Sequence, residues 1–551
     1  MKSVMQHQFS EVPKAEIQRS SFDRSHGYKT TFDSGYLVPF FVDEALPGDT
    51  FNLNVSILAR MATPIYPIMD NIHLDTFFFA VPYRLVWEHW KNFNGEQKNP
   101  KDSTDYLVPV INSGSEGFAV GSVADYFGIP TGVPNLEVSA LPFRALNLIY
   151  QEWFKDENLI DAPYLETGDG PDPLTWENDS GETVETFPLF RRGKRHDYFT
   201  SSLPWPQKGP GVELPLGVSA PVVGNGISLG LTNGQENFSI QNYTHQSVYF
   251  SYTDGYGKEV GYEPSIRAAN DNFTVGVTTD PDKSGLIVDL SKAIAPTINS
   301  LRQSFQLQRM YERDARGSRY IEIIKNHFGV SSPDARLQRP EYLGGSSGLV
   351  NVSQVPQTSA TDSTSPQGNL SAYAMYADSR HGFTKSFTEH CIIIGLVNVR
   401  ADLTYQQGLN RMWSRRTRFD FYWPTLAHLG EQEVLNKEIY AQGSDVVDDD
   451  GNVVDDKVFG YQERYAEYRY YPSMITGKMR SSDPQSLDAW HLSQDFENLP
   501  VLNEEFIQDN PPIDRVVAVP SEPQFILDSY FDLNCVRPMP LYSVPGLIDH
   551  F

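Results

Sequence analysis

YLVPFFVDEALPGDTFNLNVSI, residues 36–57, carries the pattern from which the fold can be inferred. An apolar run at 36–42 is followed by a Leu-Pro-Gly-Asp turn at 46–49. From 51 to 57, Phe, Leu, Val and Ile alternate with Asn, Asn and Ser. A period of two indicates a strand with one buried face, and the Pro-Gly turn before it predicts a β-hairpin.

Further strands and helices are predicted along the rest of the chain. Apolar or alternating runs predict strands at 74–81, 391–399, 417–423, 468–475 and 525–536. Helical spacing predicts helices at 83–93, at 143–155, from 292 onward and around 320–328, the last ending at Gly329. Alternating βαβ units and internal repeats are absent from the sequence. The residues therefore predict a mainly β fold, an antiparallel sandwich or jelly roll with long loop and helical insertions.

Two regions are rich in loop-forming residues. Residues 205–283 alternate short apolar pieces with turn dipeptides, which indicates a small β excursion inserted between more regular parts. Residues 344–367 are rich in Gly, Ser and Thr and predict a long surface loop. The predicted domains are an N-terminal arm with the first strands at 1–204, the loop-rich insertion at 205–285, and helical insertions with the remaining strands at 286–551.

Composition limits the classes of protein that fit. The chain has 551 residues, of which 70 are acidic and 44 are basic, for a formal net charge of −26. This excess of acid argues against a protein that coats nucleic acid with its whole surface, although it does not exclude a local basic face. Two cysteines cannot form a disulfide framework, and no apolar run is long enough to cross a bilayer. The N-terminus lacks the apolar segment of a secretory signal.

No pattern predicts catalysis, a metal site or a bound cofactor. Residues 344–348 match G-x-S-x-G, but their flanks predict a flexible loop instead of the strand–turn–helix that a nucleophile needs. The acidic run 445–456 resembles a calcium loop, yet Val446 and Lys457 occupy positions where ligands are required. A hairpin with an acidic Asp-Gly turn is the favoured interpretation, with a casual cation site as the alternative.

Positive charge is concentrated in a few stretches. The first places four arginines within roughly 60° of helix arc: Arg302, Arg309, Arg313 and Arg316. The second interleaves arginines with aromatic residues, as grooves for single-stranded nucleic acid do: Trp413, Arg415, Arg416 and Arg418. The first stretch suits contact with an acidic partner chain or with phosphate, and its alternative is ordinary ion pairs with Glu312, Asp314 or a neighbouring subunit. For the second stretch, the alternative is a strand with buried aromatic residues and paired arginines. A third basic cluster, 191–195, contains no aromatic residue and predicts a solvated loop.

Several long and unusual segments carry a family resemblance. HLDTFFFAVP at 73–82 and ERDARGSRY at 312–320 are the clearest. The others are 22–26 with its continuation through 47–51, 87–90 with 93–96, 333–342 and 538–546. Together they resemble the major capsid protein of the Microviridae, small tailless icosahedral phages with single-stranded DNA, and specifically the gokushovirus branch. The matches cover most of the chain outside about 205–285.

The resemblance implies an eight-stranded antiparallel jelly roll without catalytic residues that forms a T = 1 shell of about sixty copies. It implies a circular single-stranded DNA genome inside the shell. The implied protein partners are a small basic DNA-packaging protein, a pilot protein and, during assembly, an internal scaffolding protein. The expected location is the virion, after assembly in the cytoplasm of the bacterial host.

The family also has a large insertion that projects as a trimeric protrusion, proposed to meet the bacterial surface receptor. We place it at 205–285. The candidate host-contacting residues are Asn242, Tyr243, Phe250 and Tyr252.

Two other interpretations compete with a capsid protein. Tyr- and Trp-rich loops and abundant carboxylates suit a monomeric β-sandwich that binds or cleaves carbohydrate. A monomeric phage receptor-binding protein is the other, but such proteins usually contain fibrous repeats. The charge of −26 sharpens the capsid interpretation, because about sixty such subunits are far too negative to neutralise a genome. The sequence thus predicts a container that needs a separate basic packaging partner.

Overall fold

The computed structural model describes residues 17–212, 298–317, 319–360 and 366–542. Between residues 222 and 288 it also gives the backbone of seven short strands. Contacts divide the chain into two compact units. The main unit consists of Met1–Lys208 and Glu312–Phe551, and the insertion unit is Gly209–Tyr311.

The strands before the insertion unit are β1 Ser20–Asp23, β2 His26–Phe32, β3 Val38–Ala45, β4 Thr50–Met61, β5 Ile72–Pro82, β6 Val110–Asn112, β7 Glu137–Ser139, β8 Thr175–Glu177 and β9 Thr183–Glu185. The insertion unit contains β10 Val222–Gly224, β11 Leu231–Thr232, β12 Asn237–Phe238, β13 Ser251–Thr253, β14 Glu259–Gly261, β15 Gly276–Val277 and β16 Leu286–Val288. The strands after it are β17 Glu341–Leu349, β18 Asn351–Pro356, β19 Leu370–Ser386, β20 Cys391–Ala401, β21 Thr404–Tyr405, β22 Glu431–Leu435, β23 Val458–Glu463, β24 Ser473–Met474 and β25 Phe525–Arg537.

Within the described residues, the α-helices are α1 Tyr83–Val86, α2 Trp90–Phe93, α3 Val123–Tyr126, α4 Leu141–Trp153, α5 Ile298–Ala315, α6 Tyr320–Phe328, α7 Asp334–Leu337, α8 Asn436–Ile439 and α9 Glu504–Ile507. None of the helices in the described part of the chain is long and apolar enough to span a membrane.

Among the described residues, two antiparallel sheets form the centre of the main unit. One has the order β1-β25-β4-β19-β18, with β2 also paired to β25, and the other has the order β17-β5-β20-β3. Phe51 and Phe531 of the first sheet share a hydrophobic cluster with Phe78 and Ile393 of the second. The main unit is therefore an antiparallel β-sandwich, which confirms the prediction of a mainly β fold.

The two sheets differ in how many faces they bury, and the sequence pattern of each strand matches its sheet. Every second side chain of β4 is buried, and the others are exposed after the half-buried Thr50, as its alternation predicts. All but one residue of β20 are buried. Side chains on its second face, such as Ile392 and Ile394, pack in another cluster with Leu146 and Ile149 of α4. A strand covered on both faces needs a continuous apolar run, and residues 391–399 supply it.

The turn at 46–49 forms, but the predicted hairpin is wrong. The Asp49 backbone N–H donates to the Leu46 carbonyl at 3.0 Å, and Gly48 adopts φ 92°, a conformation that favours glycine. However, β3 pairs with β20, whereas β4 pairs with β19 and β25 in the other sheet. The turn is a corner between the two layers, because the apolar run of β3 suits the doubly covered sheet and the alternation of β4 suits the half-exposed one.

The predicted surface loop at 344–367 is wrong for its first half, which β17 and β18 occupy. Gly345 allows β17 to approach β5 closely. A Cβ atom at Gly345 would stand 2.0 Å from the carbonyl oxygen of Thr76. Residues 344–348 therefore lie in a paired strand, and their glycines serve close packing and not flexibility.

The strand predicted at 417–423 is replaced by a 3-10 turn at Arg418–Asp420. The Asp420 carboxylate accepts hydrogen bonds from the backbone N–H groups of Thr417 at 2.6 Å and Arg416 at 2.8 Å. These local bonds compete with strand pairing and hold the pKa of Asp420 below its ordinary range.

The remaining predictions had mixed outcomes. Only Ser473–Met474 forms a strand within 468–475, and 83–93 holds two single-turn helices instead of one. The strands at 391–399 and 525–536 and the helices at 143–155 and 320–328 are confirmed, with Gly329 in the left-handed conformation. The hairpin at 445–456 is confirmed by the antiparallel bridge between Val447 and Val453.

Candidate inter-subunit and nucleic-acid surfaces

Helix α5 carries three of the four arginines in the first basic stretch, Arg302, Arg309 and Arg313, all exposed. None of these three forms an ion pair with a carboxylate in the described part of the chain. The apolar stripe beside them is not covered either, since Ile298 and Phe305 are 69% and 59% exposed. A helix that shows both apolar and cationic residues to solvent in a single chain is suited to contact with a partner.

Arg316, just beyond the end of α5, has a different environment. Its Nη2 atom lies 2.7 Å from Glu431 and its Nη1 atom 3.2 Å from Glu463. These two glutamates face each other in the register of the antiparallel pair β22–β23. The fourth arginine of the first stretch is thus paired with carboxylates inside the main unit.

Carboxylates near β22 and β23 also neutralise two arginines of the second basic stretch. Arg415 lies 3.2 Å from Glu467, which follows β23, and its guanidinium stacks 4.2 Å from the ring centre of Tyr468. The Arg415 side chain is only 11% exposed. Arg411 lies 2.8 Å from the buried Glu438 of α8. The structure therefore anchors this stretch to the main unit through the arginines at its start and middle.

Residues 411–423, here called the aromatic segment, expose large rings between and after these anchors. Trp413 is 71% exposed, the highest value among the aromatic residues of the segment. The other exposed aromatic residues are Phe419, Phe421, Tyr422 and Trp423. Arg416 and Arg418 are exposed as well, and Arg418 lies over the rings of Phe419 at 5.2 Å and Trp423 at 5.5 Å.

The aromatic segment offers two kinds of contact. Its exposed rings and two exposed guanidinium groups match the requirements for stacking bases and pairing phosphates. They also match the aromatic and arginine enrichment of protein–protein interfaces. The sequence identified this segment correctly as basic and aromatic, but it did not separate Arg415, which is paired internally, from Arg416 and Arg418.

The basic cluster 191–195 is not the solvated loop predicted from the sequence. Arg192 forms an ion pair with Asp75 of β5, and both side chains are mostly buried. Lys194 is only 8% exposed. Burial lowers the pKa of Arg192 to about 10 and that of Lys194 to about 8. The sequence held no signal for this, because the partner of Arg192 is 117 residues away.

Other predicted sites are located only in part. Asn242, Tyr243 and Phe250 lie outside the described residues, and Tyr252 belongs to β13, of which only the backbone is described. No group of three or more possible metal ligands occurs within the residues that the structure describes. In the acidic hairpin, Asp448 accepts the backbone N–H of Asn452 and pairs with Lys457.

The chain is similar to known proteins along nearly its whole length. The family model described as Capsid protein (F protein) matches residues 10–547. The chain is 50% identical to Capsid protein VP1 of Chlamydia phage 1, over 99% of this chain and 98% of that protein. It is 48% identical to Capsid protein VP1 of Bdellovibrio phage phiMH2K over the same shares. It is 37% identical to Capsid protein VP1 of Spiroplasma virus 4, over 98% of this chain and 97% of that protein.

These matches confirm the resemblance to the Microviridae capsid protein that the sequence motifs indicated. They extend across the insertion, for which the motifs gave no match. The chain belongs to the capsid protein (F protein) family and is a structural, non-enzymatic component of a virion.

Proposed function

We propose that this chain self-assembles into a T = 1 icosahedral shell of about sixty copies that encloses a circular single-stranded DNA genome. The sandwich of the main unit corresponds to the eight-stranded jelly roll of the shell wall. The insertion at 205–285 projects from the shell and meets a bacterial receptor. A small basic packaging protein, a pilot protein and an internal scaffolding protein act with it, and assembly takes place in the host cytoplasm.

The observation that carries the proposal is the exposure of large apolar side chains by a single chain of this family. Monomeric soluble proteins rarely expose contiguous apolar patches larger than a few hundred Å². Here the aromatic segment exposes five aromatic rings, and nearby Tyr470 and Tyr471 are also exposed. A shell subunit covers such surfaces against its neighbours, with interfaces of about 2,000 Å² or more.

Electron microscopy and sedimentation of the full-length chain, made together with its native partners, test the assembly. The expected result is a population of uniform spherical particles. A chain that stays monomeric with these partners present would contradict the proposal. Family membership already favours a shell over the carbohydrate-binding monomer.

The contact with DNA requires a separate test on the aromatic segment. Because Arg415 is paired with Glu467, charge reversal there would disturb the fold as well as any DNA contact. The informative variant is R416E/R418E, which changes exposed charges. We expect particles that form normally but contain less DNA, measured as the ratio of nucleic-acid to protein absorbance. R336E, an exposed arginine outside the segment, is the control, and equal DNA content in both variants would contradict a role in DNA contact.

A further inference from the structure

The main unit contains a cavity of about 410 Å³ beside the antiparallel pair β8–β9. This volume lies within the range of about 300–1,000 Å³ that small-molecule sites occupy. Its wall comes from residues 160–164, the pair β8–β9 with its turn, the segment 188–191 and the helix α9. The cavity thus includes part of a stretch to which the proposed function gives no role. This stretch, 161–185, holds eight acidic residues and no basic one.

The lining of the cavity is acidic, and its carboxylates have no cationic partner. Of the residues that line it, one is Arg and four are Asp or Glu, namely Asp161, Glu182, Glu185 and Glu504. None of these four forms an ion pair with Lys, Arg or His among the described residues. The hydrogen bonds that Asp161 accepts from Ser180 and Glu504 accepts from Gln508 come from neutral groups.

The arginine of the lining, Arg191, is held by other groups. Its Nη1 atom donates to the Asp509 carbonyl and to the Asn510 side chain, both at 3.1 Å, and its Nη2 atom donates to the Tyr36 hydroxyl at 2.9 Å. The guanidinium also lies 4.0 Å from the centre of the Tyr36 ring. Arg191 therefore pairs with none of the four carboxylates of the lining.

The carboxylates of the lining also repel one another. Partial burial, together with the charges of Asp161 and Glu182, raises the pKa of Glu504, and the charge of Lys155 does not reverse this shift. Like charges held near each other cost free energy, which a bound cation would relieve. The electrostatics of the cavity therefore favour a positively charged ligand.

A buried hydroxyl in the wall is an independent sign of a polar ligand. Thr186 lines the cavity and is fully buried, and its Oγ1 atom has no hydrogen-bond partner among the described residues. Most buried polar atoms in proteins are hydrogen-bonded, so each exception calls for a physical reason. A hydroxyl oxygen accepts hydrogen bonds, and the N–H of an ammonium group beside it would supply one.

Aromatic rings in the wall favour an organic cation over a metal ion. The centres of the Trp176 and Tyr164 rings are 5.6 Å apart, with their planes at 68°, and Tyr150 stacks on Phe190 at 3.9 Å. Aromatic faces attract ammonium groups and offer apolar surface to methylene groups. A calcium or magnesium ion instead needs several oxygen ligands around one point. No group of three or more possible metal ligands occurs in the part of the chain that the structure describes.

We propose that this cavity binds an aliphatic diamine or polyamine. The ammonium groups of the ligand pair with Asp161, Glu182 and Glu504, and its methylene chain lies against Trp176 and Tyr164. Separated charges on one flexible chain suit carboxylates that come from separate elements of the fold, whereas a small inorganic cation has a single centre. The site belongs to the folded chain itself, so this inference does not depend on assembly of the shell.

Isothermal titration of the purified full-length chain tests the site. The probes are 1,4-diaminobutane, spermidine, butylamine and magnesium chloride. We expect one diamine or spermidine per chain. Butylamine should bind roughly tenfold more weakly than diaminobutane or worse, because it loses one charge-assisted contact. Magnesium at the same ionic strength should not displace the diamine, because it has no methylene chain to place against the rings.

E504Q and E505Q form a matched pair of variants. Both residues lie in the first turn of α9 and are exposed, but only Glu504 lines the cavity. E504Q should weaken spermidine binding roughly tenfold, as loss of one charge-assisted contact does, whereas E505Q should bind like the wild type. E504Q should also unfold at the same temperature as E505Q or a higher one, because it removes a charge that its neighbours repel. This separates weaker binding from a weaker fold.

Several outcomes would overturn the inference. They are the absence of diamine binding by the folded wild type, equal weakening by E504Q and E505Q, and binding of butylamine as tight as that of diaminobutane. Displacement of the diamine by magnesium at the same ionic strength would show a diffuse layer of counterions in place of a site. Tighter binding of a trilysine peptide than of spermidine would overturn the inference in favour of a basic protein partner.

Discussion

Asp509 is buried among cations, and burial outweighs them. The side chain is 2% exposed, and Arg400, Lys194, Arg192 and Arg191 all favour its ionised form. Burial nevertheless raises the pKa of Asp509 to about 7, because the carboxylate loses more hydration free energy than these neighbours restore. Between its ordinary pKa and this raised value, Asp509 therefore keeps a proton in the folded chain that it loses in the unfolded chain. The stability of the chain falls as the pH rises from about 4, the ordinary aspartate pKa, to about 7.

Replacing Asp509 with asparagine should remove this pH dependence. D509N mimics the protonated side chain, so we expect a stability close to that of the wild type at pH 5. At pH 8 the variant should be more stable, by on the order of 2–4 kcal/mol. Urea unfolding of both chains at the two pH values measures the difference. If D509N exceeded the wild type in stability by the same amount at pH 5 and pH 8, the raised pKa of Asp509 would be contradicted.

Single residues of this kind are the least predictable part of the chain. Arg192, Lys194 and Asp509 look like surface charges in the sequence, since most such residues are exposed. Their burial depends on strands and loops that come together from distant positions, such as Arg192 and Asp75. The buried ion pair of Arg192 with Asp75 therefore could not be predicted from the sequence, whereas the contiguous aromatic segment was found.

The strand β17 depends on glycines that bring it close to β5. In the register of this pair, Gly345 faces Phe77, and its missing side chain leaves room for the Thr76 carbonyl. G345A should destabilise the main unit by about 3 kcal/mol or more, because the methyl group would force the two backbones apart. Thermal unfolding of the full-length chain measures the loss.

Gly168 offers a matched control for that substitution. A Cβ atom at Gly168 would meet no heavy atom within 4 Å. G168A should therefore unfold at nearly the wild-type temperature. An equal loss of stability in G345A and G168A would show that the close approach of β17 and β5 does not limit stability.

For strands and turns, the sequence pattern predicted the structure well where burial alone produced the pattern. The alternation in β4 and the apolar run in β20 arise from burial on one face and on two faces. The glycines of β17 predicted a loop, but in the structure they allow the strand to pack closely against its neighbour. The apolar residues at 417–423 resembled a strand, but the bonds of Asp420 to the backbone favoured a turn. The corner at 46–49 was misread because a turn sequence does not specify which sheet the next strand joins.

For the molecule as a whole, the open question about the insertion is whether the shell needs it in order to form. If 205–285 is the receptor-contacting protrusion, replacing it with a short Gly-Ser linker should leave shells that assemble but adsorb poorly to the host. Electron microscopy counts the shells, and an adsorption assay measures attachment. Failure of the shells to form would refute a purely peripheral role.

The net charge of −26 sets the last expectation, for the assembled shell. In the proposed shell, about sixty copies would bring a large excess of negative charge around a negative strand, and the exposed Arg416 and Arg418 would offset little of it. Shells formed from this chain alone should therefore hold little DNA at physiological salt. Adding a Lys- and Arg-rich peptide during assembly should raise the DNA content, and higher salt should reduce that gain because the attraction depends on counterion release. The ratio of nucleic-acid to protein absorbance of purified particles measures the effect, with a neutral peptide of equal length as the control. Shells that retain genome-length DNA without any basic partner would show that contacts within the shell suffice to hold the strand.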